Sequence, residues 1–166
     1  MIWLVFFGEL VIGYPKNKFN FKFVVDTREQ RPYKFRDDDA RKKLSTGDYS
    51  IKELEDCICI ERKEINDFIA SVLPGRGWSR FQKELERLQK FELACIIVEG
   101  TWDDICEGQY RSELHPHSLQ GFVMRILVDY EIPIYFVTDR TYGKIFVEKW
   151  LQRAALKFHP ALVEAV

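Results

Sequence analysis

No two of the four cysteines, Cys57, Cys59, Cys95 and Cys106, stand in C-x-x-C spacing, and no cysteine or histidine pair lies near His115-Pro116-His117 to complete a ligand set. A zinc site is therefore not indicated, and the His-Pro-His reads as a surface turn ahead of a helix. Partly inside apolar runs, the cysteines have the pattern of reduced, packed thiols in an intracellular protein; a metal or redox role for Cys57 and Cys59 is the alternative. Charge of one sign is missing too. Lys and Arg number 25 against 26 Asp and Glu, a net charge of −1, which excludes holding a polyanion by bulk charge and leaves that task to local basic clusters. Nor is there a long hydrophobic run. Met1 to Phe7 is apolar but too short to cross a membrane, and it has neither a basic start nor a small-residue cleavage pattern. No membrane partner is read, and no internal repeat or low-complexity tract interrupts the chain.

What is present suits one core. The chain has 166 residues, 46% apolar and 14% aromatic, enough to bury a single domain over residues 21–166. Residues 1–20 form an apolar extension: Ile2 to Phe7, Gly8-Glu9 and Leu10 to Ile12 make a hairpin or an added strand, unless the start is an early, non-native one. Phe21 to Val25 alternates as a strand. Residues 30–44 are polar and read as a loop or a short helix ending near Leu44, where Asp37-Asp38-Asp39 solvates the loop, caps the helix or binds cations. Tyr49 to Leu54 and Asp56 to Lys63 form a hairpin. Ile65 to Leu73 has helical spacing, Pro74-Gly75-Arg76-Gly77 breaks the chain as a mobile loop, and Ser79 caps the next helix, lined by Phe81, Leu85 and Leu88. Leu93 to Val98 is a strand covered on both faces, followed by a helix over Ser118 to Tyr130, a strand over Ile132 to Val137 and a closing helix over Thr141 to Phe158. This order implies an α/β sandwich around a mixed sheet.

The chemistry concentrates between Gly47 and Asp67. Gly47-Asp48-Tyr49 is followed after twelve residues by Glu61-Arg62-Lys63 and, three residues on, by Asp67. The alternation Cys57-Ile58-Cys59-Ile60 runs into Glu61 and Lys63, so both share a strand face with Cys57 and Cys59. The hairpin carries Asp48 to the level of Glu61. Two carboxylates and a lysine at one strand end are the minimum for metal-assisted phosphodiester hydrolysis, the acids holding a hard divalent ion and the lysine meeting the developing charge. Asp67, on the following helix, supports a metal ligand by contact or is an exposed first-turn acid favoured by the helix dipole. Arg41-Lys42-Lys43, Arg62-Lys63, and Arg76 with Arg80 are the local basic clusters, each otherwise a solvated face.

These residues resemble the nuclease domain of the XPF-type, or ERCC4-domain, structure-specific DNA endonucleases, whose signature is Gly-Asp, a variable gap, Glu-Arg-Lys, three residues and Asp. The string Glu-Arg-Lys-x-x-x-Asp arises by accident in on the order of one chain in a thousand of this length. A second block, Val25-Asp26-Thr27-Arg28-Glu29, matches the family's upstream segment, and Arg80 to Leu88 with Ala94 to Gly100 resemble its helix and the strand ending in Glu-Gly. The resemblance covers Phe21 to Phe158. Glu84 departs from the family, which often carries Gln there, and neither a helix-hairpin-helix pair nor a helicase flanks the domain, so a free-standing form is expected.

The resemblance implies the restriction-endonuclease-like fold and Mg2+ or Mn2+ held by Asp48 and Glu61, with the carbonyl of Arg62 as a third ligand. Lys63 orients or activates the attacking water or stabilises the transition state. Asp26 and Glu29 complete the metal site or fix Lys63. Arg28, Arg62 and Arg80 contact phosphates or brace the carboxylates. The implied substrate is branched or flapped DNA near duplex/single-strand junctions, in DNA repair or recombination. Implied partners are a second copy or a related subunit, docked around residues 118–158, and a separate DNA-binding protein or helicase. Phe122, Leu127, Tyr135, Phe146, Trp150 and Leu151 serve that interface or the core. The compartment is intracellular: cytoplasmic in a prokaryote or virus, nuclear in a eukaryote. A non-catalytic scaffold and a nuclease for duplex DNA or RNA are the rival readings.

Overall fold

Every strand-forming stretch from Phe21 onward finds a neighbour in one six-stranded mixed sheet, in the order β2-β1-β3-β4-β5-β6. The computed structural model describes residues 21–158, and the hairpin or added strand read for residues 1–20 lies outside them. The strands are β1 (Phe23–Asp26), β2 (Ala40–Lys42), β3 (Tyr49–Ile51), β4 (Ile58–Glu64), β5 (Leu93–Glu99) and β6 (Ile134–Val137); the helices are α1 (Ile65–Val72), α2 (Arg76–Leu88), α3 (Trp102–Glu107), α4 (Pro116–Val128) and α5 (Arg140–Phe158). β3 is antiparallel to β1 and β4, whereas β2 runs parallel to β1, and β4, β5 and β6 are parallel to one another. The carboxyl ends of β1, β4, β5 and β6 therefore share one pole of the sheet.

Alternation along the strands divides the core in two. Phe23, Val25, Tyr49, Ile51, Ile58, Ile60, Cys95 and Ile97 face α5, which packs Val147, Leu151, Ala154 and Ala155 against them. Cys59, Ile96 and Val98 face the opposite layer, where α1 contributes Phe68, Ile69 and Val72, α2 Phe81, Leu85 and Leu88, and α4 Leu119, Val123 and Ile126. Cys95 to Val98 are wholly buried, as a strand covered on both faces must be. Each such Ile or Val contributes about 1.5–3 kcal/mol. The result is an α/β/α sandwich.

Several elements differ from the sequence reading, each for a local reason. Residues 30–44 contain no helix. The Asp39 carboxylate accepts the N–H groups of Phe35 and Arg36, folding a turn from which Ala40–Lys42 pairs with β1 as an edge strand. Asp37 and Asp38 pair with Lys34 and Lys22. Helix α2 begins at Arg76, not after Ser79, whose N–H donates to the Gly75 carbonyl, so the Pro74–Gly77 break is shorter than read. Gly77 permits this start, because a Cβ there would lie 2.5 Å from the Ala70 carbonyl of α1. α3 was not foreseen. It is fixed by a capping box in which Thr101 and Asp104 exchange hydrogen bonds. β4 starts at Ile58, and Cys57 lies before it against the α5-side core, so Cys57 does not share the Cys59 face and the two thiols form no pair. His115 does precede a helix, its Nδ1 accepting the His117 N–H. Of the six interface candidates, Leu151 is core, Phe122, Phe146 and Trp150 pack partly against it, and Leu127 and Tyr135 are exposed. No helix among the described residues is long and apolar enough to cross a membrane.

Candidate active site

The turn before β3 lays Asp48 across the carboxyl ends of β1 and β4. Its N–H donates to the Ile60 carbonyl at 2.8 Å, its carbonyl accepts the Asp26 N–H at 2.8 Å, and its carboxylate accepts the Arg62 N–H at 2.8 Å. Gly47 makes the turn possible. It sits at φ +78, and a Cβ would fall inside contact distance of Cys59 Sγ and 2.9 Å from the Ile60 carbonyl. The Cys59 thiol donates to the Thr46 carbonyl behind it.

On β4, side-chain alternation sends Glu61 and Lys63 to the α2 face and Arg62 to the α5 face. Lys63 Nζ lies 2.7 Å from Glu61 Oε1 and 3.2 Å from Glu84 Oε1 of α2, with the Phe81 ring beneath it at 5.1 Å. Burial works to lower the Lys63 pKa, but Glu61 and Glu84 outweigh it, so the ammonium stays charged. Removing one partner of so buried a pair costs about 3–5 kcal/mol. The acids pay for their crowding in proton affinity: burial, with Glu29 and Glu84 nearby, pushes Asp48 up to about 7, and burial plus the Asp48 charge pushes Glu61 well above its ordinary range. Glu84, also raised by burial, is held below the usual range by hydrogen bonds to Glu61 and Lys63. Two carboxylates, Glu61 and Glu84, thus share one ammonium.

The other faces are committed to bracing. Arg62 makes a two-point ion pair with Glu99 at the end of β5, through Nε at 3.0 Å and through Nη2; Tyr33 donates its hydroxyl to the same carboxylate at 2.6 Å. Of the roles open to the Arg62 side chain, bracing is the one its geometry shows. Asp26 is 1% exposed and takes hydrogen bonds from the Arg28 N–H, Nε and Nη2 and from the Leu44 N–H. Glu29 accepts the Arg31 N–H and lies 3.9 Å from Arg62 Nη1. Neither acid touches Lys63; Glu61 and Glu84 do.

Asp26, Glu29, Asp48, Glu61, Arg62, Lys63 and Glu84 line one cavity of about 530 Å³, which also takes in Arg28, Arg80, Arg87, Glu64 and Asp67. Arg76 is exposed at the start of α2 and does not line it. Asp67 is exposed on α1. Sequence reasoning missed Arg87, whose Nε donates to Thr46 Oγ1 at 2.7 Å, and the anchoring role of Glu84. The spacing Arg80, Glu84, Arg87 was the available signal, a charged stripe beside the apolar Phe81, Leu85, Leu88 stripe.

Among the described residues no cluster of three His, Cys, Asp or Glu side chains is arranged as a ready metal site. The donor chemistry nevertheless fits a hard cation: Asp48 and Glu61 are oxygen donors lining one cavity, where burial first and the neighbouring acids second raise their proton affinity.

A family model described as the ERCC4 domain matches residues 25–147, which contain the Asp26-to-Glu29 segment, Asp48, the Glu61-Arg62-Lys63 run and the helix bearing Glu84. The chain belongs to the ERCC4-domain family. Over 121 residues the chain is 35% identical to a Methanocaldococcus jannaschii protein named as an ATP-dependent RNA helicase, a match covering 71% of this chain and 14% of that protein. The fold is that of XPF from Aeropyrum pernix, with a TM-score of 0.63 at 24% identity over 84% of this chain and 68% of that one. A structure of the same protein in complex with DNA gives a TM-score of 0.62 at 24% identity over 81% and 65%. The ERCC4 domain here is thus a restriction-endonuclease-like α/β sandwich.

Proposed function

We propose that this ERCC4 domain is a metal-dependent endonuclease that hydrolyses phosphodiester bonds of branched or flapped DNA near duplex/single-strand junctions. The convergence of Asp48, Glu61 and Lys63 in one open cavity at the carboxyl end of β4 carries the reading. Asp48 and Glu61, with the Arg62 carbonyl, would hold Mg2+ or Mn2+. When bound, such an ion polarises a phosphoryl oxygen and lowers the pKa of water. Lys63, fixed between Glu61 and Glu84, places a full positive charge where negative charge grows on the phosphoryl oxygens, and needs no reorganisation to do so. One P–O ester bond breaks and a water oxygen takes its place on phosphorus. Arg28 and Arg80 at the cavity rim, with Arg76 beyond it, would hold backbone phosphates, which favours recognition of shape over base sequence.

A second copy or a related subunit belongs to the same reading, docked on the exposed Leu127, Tyr135, Tyr142 and Ile145. A strand-separating helicase, on the same or another chain, is the further partner, in line with the helicase name of the Methanocaldococcus relative. The deciding experiment compares cleavage of labelled 3′-flap, fork, duplex and RNA substrates by wild type, Asp48→Asn and Lys63→Ala with Mg2+ or Mn2+. Flap or fork cleavage that disappears in both variants is expected. Binding without cleavage by folded wild type would leave a scaffold, and preferential cutting of duplex or RNA would reassign the substrate.

A further inference from the structure

Arg140, the first residue of α5, reaches back over the wall of the cavity. Its Nη2 donates to the carbonyls of Arg31 at 2.6 Å and Pro32 at 2.7 Å, and the guanidinium lies 4.9 Å from the centroid of the Tyr33 ring. Nη1 is buried 3.7 Å from Glu99 Oε1 and makes no hydrogen bond. The wall it grips has little architecture of its own: residues 27–39 contain neither helix nor strand, yet Arg28, Glu29, Gln30 and Arg31 line the cavity. Tyr33 ties the far end of this stretch inward, through its N–H to the Tyr49 hydroxyl and through its own hydroxyl to Glu99. Gly143, three residues into α5, lets the helix come this close, because a Cβ there would strike the Tyr33 hydroxyl.

We propose that Arg140 is a positioning residue for the substrate side of the site. By clamping two consecutive carbonyls and the Tyr33 ring, it sets where Gln30 and Arg31 stand over bound DNA, while Arg28 is held by Asp26 and the Leu44 carbonyl, and Asp48, Glu61 and Lys63 are placed by the sheet, so that none of these depends on it. The inference rests on the nuclease reading above. Its chemistry demands a planar fork: a lysine keeps the charge but cannot bridge both carbonyls and stack on the ring.

The test uses wild type, Arg140→Ala and Arg140→Lys. Amide hydrogen exchange in the DNA-free proteins reads the wall directly. Loss of the two hydrogen bonds should speed exchange across residues 29–35 by about tenfold in both variants, with protection of β4 and β5 retained. On flap DNA, KM should rise about five- to tenfold and kcat stay within about twofold, because misplaced binding groups are lost and the reacting groups are not. Wild-type exchange and KM in Arg140→Ala would overturn the proposal. So would full rescue by Arg140→Lys, which would make Arg140 a mere point charge for DNA. Should Arg140→Ala fail to fold, Arg140→Lys carries both readouts. If wild type cuts no substrate, the nuclease reading falls, whereas the exchange measurement still decides whether Arg140 holds the wall.

Discussion

Replacing Gly47 by alanine puts a methyl group in place of one hydrogen at the tightest point of the site. Two costs follow. At φ +78 an alanine is in left-handed backbone, about 1–2 kcal/mol worse than glycine. Its Cβ also meets Cys59 Sγ and comes within 2.9 Å of the Ile60 carbonyl, and relieving such overpacking costs about 1–3 kcal/mol. Together they predict about 2–5 kcal/mol of destabilisation, read as a lower urea midpoint at unchanged slope. A Cys59→Ala background removes the sulfur but leaves the φ penalty and the carbonyl, so the same substitution should cost about 1–2 kcal/mol less there, a coupling that a double-mutant cycle measures. Because the turn carries Asp48, a shift of about 1 Å should also reduce flap cleavage by about 100-fold in molecules that remain folded. A Gly47→Ala protein within about 0.5 kcal/mol of wild type, or an equal cost in both backgrounds, would refute the reasoning.

Mg2+ should raise the melting temperature of wild type and leave Asp48→Asn unmoved, since a ligand stabilises only the state that binds it; equal shifts in calorimetry would remove Asp48 from the cation site. Burial works to raise the Asp26 carboxyl, but hydrogen bonds from Arg28 and Leu44 hold it below its ordinary value of 3.8. The stability this brings is complete above that value and is lost as pH falls through the lower native one, so Asp26→Asn should flatten acid denaturation below about pH 4 in a pH series of urea melts. Thr101→Ala should cost about 1 kcal/mol in urea melts by removing the cap of α3, and Thr101→Ser should recover most of it.

Periodicity made the sandwich legible, because Leu93 to Val98, Phe81 to Leu88 and the 118–130 run each announce their burial by spacing alone. The same alternation placed Glu61 and Lys63 together, and the hairpin brought Asp48 beside them. What escaped was non-local or made by backbone. Ala40–Lys42 is a strand only because β1 offers it an edge, and α2 starts early because Gly77 lets it touch α1. Glu84 and Glu99 come to the site from other elements, 21 and 37 residues from the groups they bind. Composition carries no trace of such partnerships. Asp26 and Glu29 were recognisable as a block, but their hydrogen bonds to Arg28 and Arg31 follow from turn geometry that no spacing rule encodes.

The polarity of the sheet has a practical corollary. Phe21 enters β1 at the pole away from the cavity, and α5 starts at the cavity pole and carries the chain about 28 Å back over its 19 residues, to end near Leu93, the first residue of β5. Both ends of the described chain therefore leave from the same remote side. A fluorophore or surface anchor attached on that side would leave the cavity lined by Asp48, Glu61 and Lys63 facing outward and unobstructed, and single-molecule tethering can exploit that geometry without rebuilding the domain.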